Sequence, residues 1–351
     1  MKKIKVGIIG FGLSGKIFHS PFIHSIESME ISKIVTANPI NASNAKNEYP
    51  KAKIISNPNE LFEDDEIDLV IVSVPNTFHA DFATKALMAN KHVVVEKPFT
   101  VTSEEAEELV KLSRKMQRIL TVYQNRRWDS DFLTVRKIIE SNILGNIVEF
   151  ESHYDRFRDF IKPNAWREEN IPGSGMLYDL GSHLIDQALS LFGLPKEVYA
   201  DIKIQRKDGK TDDYFEINLF YDHTKVILKS SMLVREPLPR FILLGDKGSF
   251  IKYGMDVQED ALKAGLKPTN SGNWGEEPEK NWGILNTEFK KLHFRGKVES
   301  EKGNYRAFYE NLYKAIIGEE DIQIKPEEAR NTIRVIELAL LSNKNKCNVK
   351  F

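Results

Sequence analysis

Gly10-Phe11-Gly12-Leu13-Ser14-Gly15 constrains the fold of this chain more than any other stretch of it. It stands directly behind the apolar run 4–9 and directly before a segment, 14–28, that reads as a helix. A G-x-G-x-x-G in that setting is the turn of a strand–turn–helix unit built around a pyrophosphate. The first glycine permits the tight turn, the second lets the backbone approach the phosphates, and the third lets helix and strand pack closely. The helix start adds unpaired N–H groups and a partial positive charge. Such a turn can also occur with no ligand, so the pattern of the next hundred residues matters.

Those residues alternate short apolar runs with amphipathic segments, the pattern of parallel strands joined by crossover helices. Strands are expected at 4–9, 31–36, 67–74, 93–96 and 119–123, and helices at 14–28, 77–89 and 103–116. Thr102 or Ser103 supplies an N-cap for the last helix. Residues 1–122 therefore read as an α/β Rossmann domain that binds NAD or NADP. After them the pattern changes to longer alternating strands at 147–154, 215–221, 225–232 and 241–244. Asp208-Gly209 and the stretch 222–224 sit where hairpin turns are needed. Residues 123–351 read as an α+β domain with an antiparallel or mixed sheet. It carries helices at 175–192, 305–317 and 326–342, the last of which could pack back on the first domain. The stretch 255–286, rich in Gly, Pro and Asn, reads as a long loop, either a lid or a plain surface excursion.

Composition narrows the function. With 351 residues, 41% hydrophobic and 29% charged, the chain has enough apolar material for two cores. Its 50 basic residues nearly balance 51 acidic ones, and no long block of one sign occurs, so nucleic acid and membrane surfaces are not expected partners. The single cysteine, Cys347, excludes an intrachain disulfide and a cysteine-held zinc, and no metal is expected. These features point to the cytoplasm. The lysines before the apolar start imitate a secretion signal, but the apolar stretch is too short. No apolar run approaches the ~20 residues that span a bilayer.

The second strand ends Thr36-Ala37-Asn38, with no acid between Ile31 and Asn47. An acid there would hold the ribose 2′-OH of NAD and repel a 2′-phosphate; its absence favours NADP over NAD. Asn38 could hydrogen-bond either form, and no arginine stands nearby. Glu96-Lys97-Pro98 comes after a strand, at the carboxyl end of a parallel sheet where such folds bind ligands. A lysine there can stabilise negative charge developing on a substrate oxygen; it can equally be a solvated loop lysine. Asp179 and His183 are four residues apart on an expected helix, among Met176, Leu180, Leu184 and Ala188. An imidazole beside a carboxylate is a good general base near neutral pH, and it can as well be a satisfied core pair. Arg127, Trp166 and Arg167 combine donors with a flat apolar surface suited to a polyol ring, although core packing or ion pairing would explain them equally. Lys252, Tyr253 and Asp256 form a further polar turn that could face a cleft.

In order, GFGLSG, Pro75-Asn76-Thr77-Phe78-His79, EKP and DLGSH resemble the Gfo/Idh/MocA oxidoreductases. GFGLSGKIFHSPFI and AWREENIPGSGMLYDLGSHLIDQAL look most like the branch with NADP-dependent scyllo-inositol dehydrogenases. The resemblance implies that Lys97, Asp179 and His183 line the active site and that Pro75, Asn76, His79 and Glu96 lie near the cofactor. It also implies a second domain with a large open sheet, commonly an oligomer interface, so a homo-oligomer is expected. The expected reaction moves a hydride between nicotinamide and a secondary alcohol or ketone of a polyol or sugar. Another sugar or a dihydrodiol as substrate, or a non-catalytic dinucleotide sensor, are the alternatives.

Overall fold

The computed structural model describes residues 3–163, 165–268 and 272–351. Internal contacts divide the chain into two compact units. The first comprises Met1–Asn125, Gln258–Trp274 and Tyr305–Arg330; the second comprises Arg126–Val257, Gly275–Asn304 and Asn331–Phe351. Each is thus assembled from separated stretches, where the sequence suggested one boundary after residue 122.

The first unit holds a six-stranded parallel sheet of order β3-β2-β1-β4-β5-β6, made of Ile4–Ile9 (β1), Met29–Val35 (β2), Lys53–Ile55 (β3), Leu69–Val72 (β4), His92–Val95 (β5) and Leu120–Val122 (β6). Val6, Ile8, Ile34, Val70, Ile71, Val93 and Val94 are wholly buried, as expected of a sheet covered on both faces. β1 pairs in parallel with both β2 and β4, so the order reverses at β1, the point where open α/β sheets bind ligands. The helices are Ser20–His24 (α1), Pro39–Glu48 (α2), Asn59–Phe62 (α3), His79–Met88 (α4) and Ser103–Met116 (α5). α5 starts at a capping box: the Thr102 side chain accepts from the Glu105 N–H, and the Glu105 carboxylate accepts from the Thr102 N–H. α2 has no apolar face and buries little beyond Ala45; Asn38 at its N-cap and Pro39 at its start specify it.

The second unit begins with α6 (Ser130–Glu140) and holds a nine-stranded sheet. Its strands are Ile147–His153 (β7), Glu197–Lys203 (β8), Tyr214–Phe220 (β9), Lys225–Ser231 (β10), Phe241–Gly245 (β11), Gly248–Lys252 (β12), Gly283–Phe289 (β13), Leu292–Val298 (β14) and Val349–Lys350 (β15). The order is β14-β13-β12-β11-β7-β10-β9-β8-β15, and only the β7–β10 pair is parallel. The expected mixed, mostly antiparallel sheet is therefore present and larger than the four strands read from the sequence. Phe150, Phe215, Ile217, Leu219, Val226, Leu228, Phe241, Leu243 and Phe250 bury one face, at every second position. α7 (Ser182–Phe192) packs on β10.

The stretch 255–286 is not a plain loop. It contains α8 (Gln258–Lys263), whose first residue Gln258 accepts from Trp274 Nε1 (3.1 Å) and the Tyr305 N–H (2.9 Å), and it ends in β13. Residues 269–271 of that stretch lie outside the described residues. α9 (Arg306–Ile316) belongs to the first unit, while α10 (Pro326–Asn345) changes unit after Arg330. Its first turns carry ion pairs from Glu327 to Arg114 and from Arg330 to Glu107. No described helix is long and apolar enough to cross a membrane.

Candidate active site

In the first unit the glycine turn is specified by sterics. Gly10 has φ +94°, and a Cβ there would lie 2.0 Å from the Ser73 carbonyl oxygen. A Cβ on Gly15 would lie 2.2 Å from the Gly10 oxygen, whereas one on Gly12 would meet nothing within 4 Å. The outer two glycines are therefore needed by the protein itself, and the middle one leaves open space over its backbone. A pyrophosphate needs that space, so the turn fits a dinucleotide. Phe11 is buried edge-on against Tyr49, while Leu13 is exposed. The turn leads into a π-helical turn, Gly15–His19, closed by Ser20, whose N–H and hydroxyl both donate to the Gly15 oxygen. Beyond β2, the Asn38 side-chain oxygen accepts from the Ile40 and Asn41 N–H groups, so its amide NH₂ is the part left to donate to a ribose substituent.

Glu96, at the end of β5, ties this turn to the lysine. One carboxylate oxygen accepts from the Ser14 hydroxyl and from His19 Nε2 (2.9 Å), and the other from the Lys97 backbone N–H (2.9 Å). His19 Nδ1 in turn meets the Tyr309 hydroxyl. Burial alone would raise the Glu96 pKa, but the hydrogen bond and charge of His19, then Ser14 and Lys97, hold it down at about 2. The ordinary value is 4.5, so the stabilisation is complete above pH 4.5 and is lost as pH falls towards 2. Its size is on the order of 3 kcal/mol. Glu96→Gln should lower the melting temperature at pH 7, with the gap to wild type closing between pH 4.5 and 2. Thermal unfolding across pH checks this, and a gap independent of pH would contradict it.

His79 joins two chain segments of the first unit. It is buried, with Nδ1 2.9 Å from the Pro98 oxygen and Nε2 2.9 Å from the Val74 oxygen. Burial pushes its pKa down against those carbonyls. It fastens the segment after Lys97, including the cis Lys97–Pro98 bond, to the chain leaving β4. Asn76 is buried at the first position of a 3₁₀ turn and Pro75, before it, is exposed. Lys97 itself is half-buried.

In the second unit, Asp179 and His183 do not share one regular helix. Asp179 lies in a π-helical turn, Leu177–Gly181, and His183 in the α7 that continues it, so they straddle the junction. Interruptions of this kind collect at functional sites. His183 is 3% exposed. Asp179 Oδ1 is 3.2 Å from Arg167 Nε, and the Arg167 guanidinium lies 4.4 Å from the centre of the Trp166 ring. Three expected residues, Trp166, Arg167 and Asp179, thus come together. Arg127 is buried, its Nε and Nη2 donating to the two oxygens of Asp186 at 2.8 and 2.7 Å in a two-pronged ion pair. Lys252 is likewise consumed in a buried ion pair with Glu277 (2.6 Å), and Asp256 accepts from the Ser130 N–H (2.8 Å); Tyr253 is half exposed. Among the described residues no group of three His, Cys, Asp or Glu could hold a metal ion.

Residues 4–124 match the family model "Oxidoreductase family, NAD-binding Rossmann fold", and residues 136–351 match its partner, "Oxidoreductase family, C-terminal alpha/beta domain". The chain belongs to the Gfo/Idh/MocA oxidoreductases. Among members of this family, it is 40% identical over 343 residues to scyllo-inositol 2-dehydrogenase (NADP(+)) IolW of Bacillus subtilis, covering 98% of this chain and 94% of that protein. The solved oxidoreductase YvaA of Bacillus subtilis superposes with a TM-score of 0.96 at 39% identity, over 100% of this chain and 99% of that one. An oxidoreductase of Bacteroides fragilis superposes with a TM-score of 0.90 at 44% identity, over 100% of each chain.

Proposed function

We propose that this Gfo/Idh/MocA oxidoreductase is an NADP-dependent dehydrogenase acting on a secondary alcohol of a cyclitol such as scyllo-inositol, or reducing the matching ketone. The observation that carries the reading is Glu96, whose two oxygens join the dinucleotide turn at Ser14 to the backbone of Lys97. That linkage ties the backbone of Lys97 to the dinucleotide turn and supports a role for the lysine beside the cofactor. When bound in the Gly10–Gly15 turn, the dinucleotide supplies the hydride acceptor or donor. His183 takes the proton of the substrate hydroxyl as the carbonyl forms, and returns it in the reverse direction. Lys97 donates a hydrogen bond to the reacting oxygen, where negative charge develops. Asp179, shared with Arg167, adjusts the charge around the imidazole, and Trp166 offers a flat face to the ring. The absence of an acid between Ile31 and Asn47 supports NADP, as does the cofactor named for the Bacillus subtilis relative.

The test is a dehydrogenase assay with NADP⁺ and with NAD⁺ across the inositol isomers and a set of aldoses, amino sugars and dihydrodiols. We expect turnover with scyllo-inositol and a kcat/KM for NADP⁺ at least about tenfold above that for NAD⁺, or about 1.4 kcal/mol. Dinucleotide binding with no turnover anywhere on the panel would replace the dehydrogenase by a dinucleotide sensor.

A further inference from the structure

Resting on the roles given above to Asp179 and His183, we propose that the loop between β8 and β9, residues 204–213, is a positioning device that seats the Trp166–Arg167 turn and the Asp179–His183 turn as one piece.

Two adjacent aspartates of this loop connect to different elements, Asp212 directly and Asp213 through Arg206. Asp212 Oδ2 accepts from the Leu177 N–H at 2.6 Å and its backbone oxygen from the Met176 N–H at 3.0 Å. Leu177 opens the π-helical turn that holds Asp179 and runs into the helix of His183. The approach depends on Gly175, at φ +87°, where a Cβ would stand 2.0 Å from Asp212 Oδ1. Asp213 faces the other way. Its Oδ1 accepts from the Gln205 N–H (2.6 Å) and its Oδ2 from Arg206 Nε (2.8 Å). Arg206 passes the connection on, donating to Glu168 Oε2 at 2.7 Å and to the Phe160 oxygen at 2.8 Å, and Glu168 also binds Arg158 at 3.0 Å.

Glu168 is the neighbour of Arg167, and Arg167 pairs with Asp179. The contacts therefore close a ring: Asp212 to Leu177, along the turn to Asp179, across to Arg167, one residue to Glu168, and through Arg206 to Asp213 and back. Side chains of Arg206, Asp213 and Glu168 are 2%, 1% and 8% exposed. Ion pairs so deeply buried give little net stability, because desolvation offsets their attraction, but they admit one geometry. Both members of the Arg167–Asp179 pair, by contrast, are partly exposed, at 46% and 28%. The rigid part of the ring thus lies behind and its solvent-facing part in front, the arrangement expected of a support for groups that meet a substrate.

Asp212→Ala removes the grip on the turn, and Asp212→Asn keeps an oxygen acceptor for the Leu177 N–H. With scyllo-inositol and NADP⁺, Asp212→Ala should lower kcat by about 10²-fold while the KM for NADP⁺ stays within about twofold, and Asp212→Asn should recover most of the loss. Glu168→Gln, the milder cut on the other side of the ring, should lower kcat in the same sense. Hydrogen exchange gives a reading independent of activity: in both Asp212→Ala and Glu168→Gln, amides of 165–169 and of 176–183 should exchange faster together. Faster exchange on the mutated side alone, or an unchanged kcat in a protein that His183→Ala still inactivates, would overturn the loop's role. An unchanged kcat in His183→Ala itself would instead overturn the reading on which it rests.

Discussion

His183→Ala should reduce kcat by about 10²- to 10⁴-fold, the usual contribution of a positioned general base. Imidazole is the side chain whose ordinary titration lies nearest neutral pH, so no other residue in the second-unit motif can take and return a hydroxyl proton as readily. The side chain is buried at the start of α7, directly after the π-helical turn. The proposed role of His183 is proton transfer and the phosphates are assigned to the glycine turn, so NADPH affinity should change by no more than about twofold. Lys97→Ala should likewise lower kcat with the dinucleotide retained, since the Glu96 carboxylate grips its backbone N–H. Steady-state kinetics beside a fluorescence titration with NADPH separates these effects, and wild-type turnover in both variants would remove the proposed chemistry.

The second large effect is a contrast between two glycines. Gly10→Ala puts a Cβ 2.0 Å from a backbone oxygen at a positive φ, so backbone must move. Strain of that sort costs on the order of 1–3 kcal/mol, and the turn that must receive the phosphates is displaced with it. Gly12→Ala meets nothing, and the stability of the protein should stay within about 1 kcal/mol of wild type. Its methyl nevertheless occupies the open space over the turn, so NADP(H) affinity should fall by about 10²-fold, near 2.7 kcal/mol. Gly10→Ala is thus expected to lose both stability and binding, and Gly12→Ala binding alone. Equal dinucleotide affinity in Gly12→Ala and wild type would show that the phosphates do not use this turn.

The first unit is legible in the sequence because its strands are short, apolar and punctuated by a motif whose glycines each have a steric reason. Residues whose partners are distant along the chain are not. Nothing near His19 in the chain announces Tyr309 or Glu96, although Ser14 and Glu96 each stand out through their own motifs. Spacing puts Asp179 and His183 on one face, but spacing carries no sign of the π-helical turn or of the Asp212 grip that sets it. Arg127 is a further case: the carboxylate that takes two of its donors, Asp186, is 59 residues away. In the second sheet, β14 is poorly marked: Leu292, Phe294 and Val298 alternate with His293, Arg295 and Lys297, but Gly296 interrupts the pattern and the strand lies exposed at the sheet edge. α2 is equally hidden for want of an apolar stripe, with only its Asn-Pro start to mark it.

The discontinuous make-up of the first unit has a consequence for biosynthesis. Phe22 packs on Trp274 and Tyr305, Tyr123 on Phe308, and the Thr121 hydroxyl donates to the Ile324 oxygen. A ribosome has to translate past residue 324 before these partners exist, and at about 5–20 residues per second that leaves the emerging first unit partly uncovered for tens of seconds or less. A fragment ending near residue 125 should expose these aromatic faces and precipitate, whereas the 351-residue chain covers them.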